Sequence, residues 1–498
     1  MHTVQLLLKT SKYERHEIDR RFHALAHLHN VCVKHARKCM IRLQHDKRYA
    51  ELRQLYNELV KKEKMSKEEK SQKKKLAKQL AACRTEQGLS KASLEHYLKV
   101  CGKQFSKLLS SQQVQAEADR VWCGVERCLF GNGKELHFKK LMDFDTIGGK
   151  SNKNGARFDL DAMYVNWLGL SLKCYLPKSE NSLSYVWESL KGKISYCNIK
   201  RLMFSSGWRY YAEIVVSGDA PTRVLIGTST MGIDPGVSED ACVLEELAPN
   251  AIQYEKKIQK ISQGMDRSRR ISNPNKYNED GTINRSNRDP WKYSKNYVKM
   301  CRLLKSLYRK KHAYIVDSHR KLCNKLITIA RYFPVEKMHF QALQKRAKET
   351  KRQEKKTEVK QKDGTVKVIQ KYKRKKRFGR SINRRAPARF LLELKRKAEA
   401  VGGVYAEVDT KEFKASQYNH VTDTYEKIPL SQREKEIGNR KVQRDLYSAF
   451  LIRNADLDFK HPDREKCEYE FEYFADMQDQ LILKMKESGL SMRQCFGF

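Results

Sequence analysis

Three acidic residues carry the chemistry that this sequence can offer. Asp234 sits in the apolar run Met231-Gly232-Ile233-Asp234-Pro235-Gly236-Val237, Glu336 follows Pro334-Val335, and Asp445 lies in Gln443-Arg444-Asp445-Leu446. An unpaired carboxylate beside Ile233 and Val237 is costly to bury. Either a basic side chain or a metal ion must compensate it. Asp445 opens an amphipathic helix, where the helix dipole alone would favour an acid. Each acid by itself has an ordinary structural explanation. As a set, in the order strand, strand, helix, they suit divalent cations. Two magnesium ions roughly 3.5–4 Å apart can activate a water and steady the leaving oxygen of a phosphodiester. Magnesium prefers oxygen ligands and keeps several waters, so a few carboxylates suffice. Glu239, Asp240 and Asp409 are further candidates for a fourth ligand.

The rest of the chain is strongly basic. Its 498 residues hold 102 Lys and Arg against 59 Asp and Glu, a net charge of +43. Such an excess repels itself unless a polyanion neutralises it, and nucleic acid is the natural partner. A basic protein that gathers carboxylates for metal points first to a nuclease. The 13 cysteines are scattered and never form Cys-x-x-Cys. That pattern indicates a reducing interior, not a disulfide framework. The N-terminus has no charged leader, and no run approaches the roughly 18 apolar residues of a membrane span. A soluble intracellular protein, with no membrane partner, is the expectation.

Periodicity lays out the elements that must position the acids. Residues 3–9 alternate as a strand, and Phe22, Leu25, Ala26, His29, Val33, Ala36 and Met40 recur at helical spacing. Residues 50–130 read as several helices. Short β runs follow at 134–139, 168–175, 194–204 and 208–216, with Ser205-Ser206-Gly207 as a hairpin turn. A small barrel or sheet fits, completed by 3–9 and interrupted by the helices. Strands are then expected at 226–237 and 241–244, and long helices over 251–330 with a polar break at 272–290. A strand is expected near Val335. Residues 341–400 hold 23 Lys and Arg and six acids, and within them 359–369, centred on Asp363-Gly364, reads as a β-hairpin or a mobile flap. Pro387 opens a helix that Gly402-Gly403 ends. A strand over 404–409 and a helix starting near Val442 complete the pattern. The segment 455–498 shows little periodicity.

These motifs resemble a known arrangement. Met231-Gly232-Ile233-Asp234-Pro235-Gly236, Val335-Glu336-Lys337-Met338 and Arg444-Asp445-Leu446 are similar to the three split motifs of a RuvC-type nuclease domain. Ser294-Lys295-Asn296-Tyr297, the helix over 389–403, Val408-Asp409 and Ala415-Ser416-Gln417 resemble TnpB proteins and the compact type V CRISPR effectors. The resemblance covers about 190–452 and is looser before that. It implies an α+β multidomain chain: an RNase H-like (RuvC) α/β nuclease domain plus a β-barrel wedge domain with an inserted helical recognition domain. The boundaries would be 1–10 and 131–225 for the wedge, 11–130 for the recognition domain and 226–409 for the nuclease domain. That last domain would carry a helical insertion at 251–330 and a basic flap at 341–385. A target-loading lobe would span 410–443, and the last RuvC helix and tail 444–498. The resemblance implies Asp234, Glu336 and Asp445 as catalytic acids holding two Mg2+, with Mn2+ as a substitute. It also implies a guide RNA, a double-stranded DNA target opened into an RNA–DNA heteroduplex, a short flanking DNA motif read by the N-terminal half, and a prokaryotic cytoplasmic setting.

The family's zinc ribbon is missing from the pattern. Residues 410–444 contain no cysteine, so no thiolate zinc site is expected there. The polar Gly-Val-Ser-Glu-Asp after the first acid is a second departure. Candidate nucleic-acid contacts are Arg384, Arg385 and Arg389, read as the start of a helix that could take a phosphate, together with Lys414, Gln417 and Trp208. Core packing competes for Trp208. Two other functions fit the same residues: a cleavage-inactive RNA-guided repressor, or a junction resolvase or transposase.

Overall fold

The computed structural model describes residues 1–62, 65–131, 133–235, 247–279, 281–344, 352–360, 366–372, 379–429 and 432–489. The chain forms two compact units, Met1–Pro221 and Thr222–Phe498.

The first unit runs β1 (His2–Lys9), α1 (Lys12–Gln44), α2 (Lys47–Val60), α3 (Lys67–Glu86), α4 (Lys91–Gly102), α5 (Ser111–Phe130), β2 (Thr146–Ile147), β3 (Ala156–Asp159), β4 (Tyr164–Trp167), β5 (Leu170–Tyr175), α6 (Glu180–Leu190), β6 (Ile194–Phe204) and β7 (Gly207–Val216). Its strands form one antiparallel sheet in the order β2-β6-β7-β1-β5-β4-β3. The sheet curls so that β3 approaches β6. Strand β1 lies inside it and shows two-residue alternation, with Val4, Leu6 and Leu8 buried. Five helices therefore separate a central strand from most of its sheet in sequence. Their starts are written locally. Ser11 with Glu14, Ser66 with Glu69 and Ser110 with Gln113 each form a reciprocal capping box.

A buried cation joins helix to sheet. Arg201 on β6 is 2 % exposed, and its guanidinium lies 4.0 Å from the Phe22 ring of α1 and 4.3 Å from the Trp208 ring. It donates to Asp19 at 3.1 Å and to the carbonyls of Phe144 and Leu141. Buried charge survives when it is paired and hydrogen-bonded in this way.

Two expectations change here. The 134–139 run forms no strand. Asn30 takes both backbone groups of Lys139, with Nδ2 donating to the carbonyl and Oδ1 accepting from the N–H. Alternation makes a strand only where another edge offers a ladder. The run begun at 168 starts two residues later. Leu168 and Gly169, with φ of 44° and 81°, form the tight turn between β4 and β5.

The second unit contains β8 (Ser229–Thr230), α7 (Ala251–Ser272), α8 (Lys295–Ile329), β9 (Ala330–Glu336), α9 (Phe340–Gln344), β10 (Arg352–Lys360), β11 (Val366–Tyr372), α10 (Gly379–Arg385), α11 (Pro387–Ala400), β12 (Val404–Val408), α12 (Thr410–Phe413), β13 (Tyr418–Asn419), β14 (Thr424–Tyr425), β15 (Glu434–Ile437), β16 (Arg440–Gln443), α13 (Arg444–Arg453) and α14 (Arg464–Glu487). A parallel sheet of order β12-β9-β8 forms among the described residues, and β10 pairs with β11 as a hairpin. Of the strand expected over 226–237, the described residues reach 235, and among these β8 and the Ile233–Val335 bridge pair with β9. The strand expected at 241–244 lies outside the described residues. Leu322, Leu326, Phe333, Val335, Phe390 and Leu394 build the core between α8, α11 and this sheet.

The segment after 455 holds a 24-residue helix, α14, whose Cys467, Phe471, Ala475, Gln478 and Ile482 are buried. Its apolar stripe is interleaved with many charges, which hid it in the sequence. Phe471 closes an aromatic cluster with Tyr447, Phe450 and His420. Nearby, Lys435 is 6 % exposed and donates to the carbonyls of Gln417 and Tyr418, tying β15 to β13.

Two buried histidines are expected to make this unit acid-sensitive. His420 faces the Tyr447 hydroxyl at 2.7 Å, and that hydroxyl also accepts from the His420 backbone N–H, leaving its own proton for Nδ1. His319 lies 2.8 Å from the Arg385 carbonyl through Nε2. Burial pushes both imidazoles down to about 4 from the ordinary 6.5. Between those values the unfolded chain binds more protons, so stability is present above about pH 6.5 and is lost as pH falls toward 4. The loss is expected to reach about 3 kcal/mol per histidine. Thermal melts across that window check it, and a His420→Phe, His319→Gln variant should melt with a flatter pH profile.

Candidate metal centre and nucleic-acid contacts

The parallel sheet brings two of the three acids together. Met231 N–H donates to Tyr332 O, Ile233 N–H to Pro334 O, and Glu336 N–H to Ile233 O. This ladder sets Ile233 beside Val335, and both are buried. The next residue on each strand points to the opposite face, because side chains alternate. Asp234 and Glu336 therefore emerge side by side at the carboxyl ends of neighbouring parallel strands. Ligands commonly bind at that end of α/β sheets.

Their carboxyl groups hydrogen-bond each other, and Thr410, whose hydroxyl donates to the Lys337 carbonyl at 2.7 Å, lies beside Glu336. Burial raises the Glu336 pKa, while Asp234 and Thr410 partly offset it. A divalent cation beside the pair would offset that burial and favour the charged carboxylate. The oxygen-only donors suit magnesium or manganese better than zinc. Thr410 was not visible as part of the site in the sequence. It is placed by the pairing of β12 with β9, which sets Val408 beside Glu336. Asp409 caps α12 instead, with its carboxylate accepting from Lys411 N–H. Glu239 and Asp240 lie outside the described residues.

Asp445 is held differently. It is the second residue of α13, which packs against the same sheet. Gly232 permits that packing. A Cβ there would lie 2.1 Å from Ala449 O and 2.4 Å from Arg453 N. The Asp445 carboxylate is engaged on both oxygens. Arg444 donates to Oδ1 from Nε at 3.1 Å and Nη2 at 2.9 Å. Arg433 donates to Oδ2 at 3.0 Å, and Gln443 at 3.3 Å. Among the described residues, no group of three or more His, Cys, Asp or Glu is gathered closely enough to hold a metal ion. The structure thus joins Asp234 to Glu336 and gives Asp445 to arginines.

The candidate phosphate contacts separate in the same way. Arg384 and Arg385 end α10; they do not start a helix, so the expected helix-start site is not formed by them. Arg384 binds the Glu255 carboxylate through Nε and Nη2, at 3.1 and 3.0 Å, and Glu255 also takes Lys311. Arg385 donates to Ser381 Oγ. No local pattern announces this network, because Glu255 is more than a hundred residues away. Arg389 is exposed in the first turn of α11. Lys414 is exposed at a left-handed backbone position, and its ammonium lies 5.8 Å from the Tyr425 ring centroid. Gln417 is half-buried. Trp208, in the first unit, packs against the sheet core with Arg201 over its ring, so packing accounts for it.

No helix among the described residues is long and apolar enough to cross a membrane. No protein-family model matches the chain, and no curated protein matches it. Among solved structures, it is similar to one described as the cryo-EM structure of a CRISPR-Cas12f ternary complex, at 13% identity over 91% of this chain and 82% of that one, with a TM-score of 0.26. A likeness at that score carries no argument about fold or function.

Proposed function

We propose that this chain is a metal-dependent, RNA-guided DNA endonuclease with a RuvC-type centre. The observation that carries the reading is the Asp234–Glu336 carboxyl pair at the ends of adjacent parallel strands. The net charge of +43 supplies the attraction for nucleic acid. Asp234 and Glu336 would hold divalent cations, with Asp445 as the third ligand through the oxygen that Arg433 holds. The cations would supply an activated water and charge stabilisation at the phosphate. The protein's own part is to fix the two carboxyls by the ladder through Ile233 and Val335. Pairing with a guide RNA would choose the DNA, and basic surfaces would grip the backbones. The helical and β parts of the first unit would recognise the guide duplex and the flanking motif.

The arginine pairing of Asp445 favours one rival, a nucleic-acid-binding protein that does not cut. A cleavage assay separates the two. Purified protein with its co-purified RNA should cut matching double-stranded DNA in Mg2+ and not in chelator. Sequencing that RNA should give one discrete species. Random RNA fragments, or equal cutting with chelator, would defeat the proposal.

A further inference from the structure

We infer that Arg433 is a substrate-responsive latch: it occupies the cation position on Asp445 until a nucleic-acid phosphate draws it away. The inference rests on the metal-centre reading above and adds a control to it. The two guanidinium groups on Asp445 differ in their freedom. Arg444 is 8% exposed in its side chain and also donates to the Gln432 carbonyl at 3.3 Å. Packing fixes it on Oδ1. Arg433 is 57% exposed and reaches Oδ2 through Nη1. Its own backbone carbonyl accepts from Arg444 N–H at 2.9 Å, so the residue stays beside the site even when the side chain swings.

Charge gives the exchange its direction. A guanidinium on Oδ2 and a divalent cation on the same oxygen exclude each other. Exposed ion pairs of this kind are weak, so Arg433 can be displaced at little cost. A phosphodiester presents a pair of oxygens that a guanidinium fork binds as well as it binds a carboxylate. A strand entering the site would therefore take Arg433 and leave Oδ2 with only the longer, uncharged contact from Gln443 Nε2 at 3.3 Å, which leaves that oxygen open to metal. The chain would hold its third ligand in reserve while no substrate is present. This also accounts for a structure in which two acids meet and the third is paired with bases.

Metal binding by the full-length protein without nucleic acid tests the latch, with Mn2+ as the probe and its free electron-spin-resonance signal as the readout. Arg433→Gln should tighten Mn2+ binding roughly fivefold, the scale of one exposed ion pair. The gain should vanish when Asp445→Asn is also present, which separates the latch from a general loss of positive charge. Adding a short oligothymidylate should tighten Mn2+ binding in the parent and leave the Arg433→Gln protein nearly unchanged. If Arg433→Gln binds Mn2+ as the parent does, while Asp234→Asn weakens binding, the latch is wrong and the metal centre stands. If the parent, Arg433→Gln and Asp234→Asn all bind alike, both ideas fall.

Discussion

Asp234→Asn should lower DNA cutting by about a thousandfold or more and leave nucleic-acid affinity within about twofold. The first figure follows from losing several kcal/mol of metal-supplied stabilisation, at about 1.36 kcal/mol per factor of ten. The second follows from where binding energy arises. Affinity for a polyanion comes from phosphate contacts spread over many Lys and Arg, and the 102 such residues here are unaffected by one buried-edge substitution. Asparagine keeps the shape of aspartate and can still hydrogen-bond Glu336, so the fold should hold. Single-turnover cleavage and a filter-binding titration, on the same preparations, measure the two quantities. Cutting at the parent's rate would remove Asp234 from the centre. A matching collapse of binding would make its role structural.

Gly232→Ala should destabilise the second unit by about 3 kcal/mol or more, at the upper end for overpacking. The added Cβ would stand 2.1 Å from Ala449 O, 2.4 Å from Arg453 N and 2.9 Å from Arg453 Cα. These are backbone atoms of α13, and they cannot swing aside like a side-chain tip. Either the helix shifts away from the strand or the strand leaves its ladder with β9. Both disturb the relation between Asp234 and α13, which carries Asp445. Chemical denaturation would register the loss, and Gly402→Ala offers a useful contrast: its Cβ meets nothing within 4 Å, so only the strain of its φ of 79° applies. If Gly232→Ala melts like the parent, strand and helix do not approach this closely.

Several elements could be seen in the sequence because their causes are local. Pro387 fixes the start of α11, and Gly402 takes the left-handed turn beyond its end. The β6–β7 hairpin follows from two alternating runs around a short Ser-Ser-Gly turn. Asp234 and Glu336 stood out as members of a set, each an acid that follows an apolar strand. Other features had no local signature. Lys134 to Lys139 alternates well yet has no edge to join, since Asn30 occupies the backbone of Lys139. Arg384 looked available for phosphate until Glu255, on another helix, proved to hold it.

Side-chain type and periodicity therefore determined which residues could bind metal or phosphate, and which stretches would be helix or strand. Only the tertiary structure decided which of those groups meet. The strand register set Asp234 against Glu336, and the packing of β16 and α13 left Asp445 between two arginines. The reason is one of range: propensity, capping and turn chemistry act over a few residues. The partner of a charge is chosen by chain closure over tens or hundreds of residues, which no short stretch of sequence records.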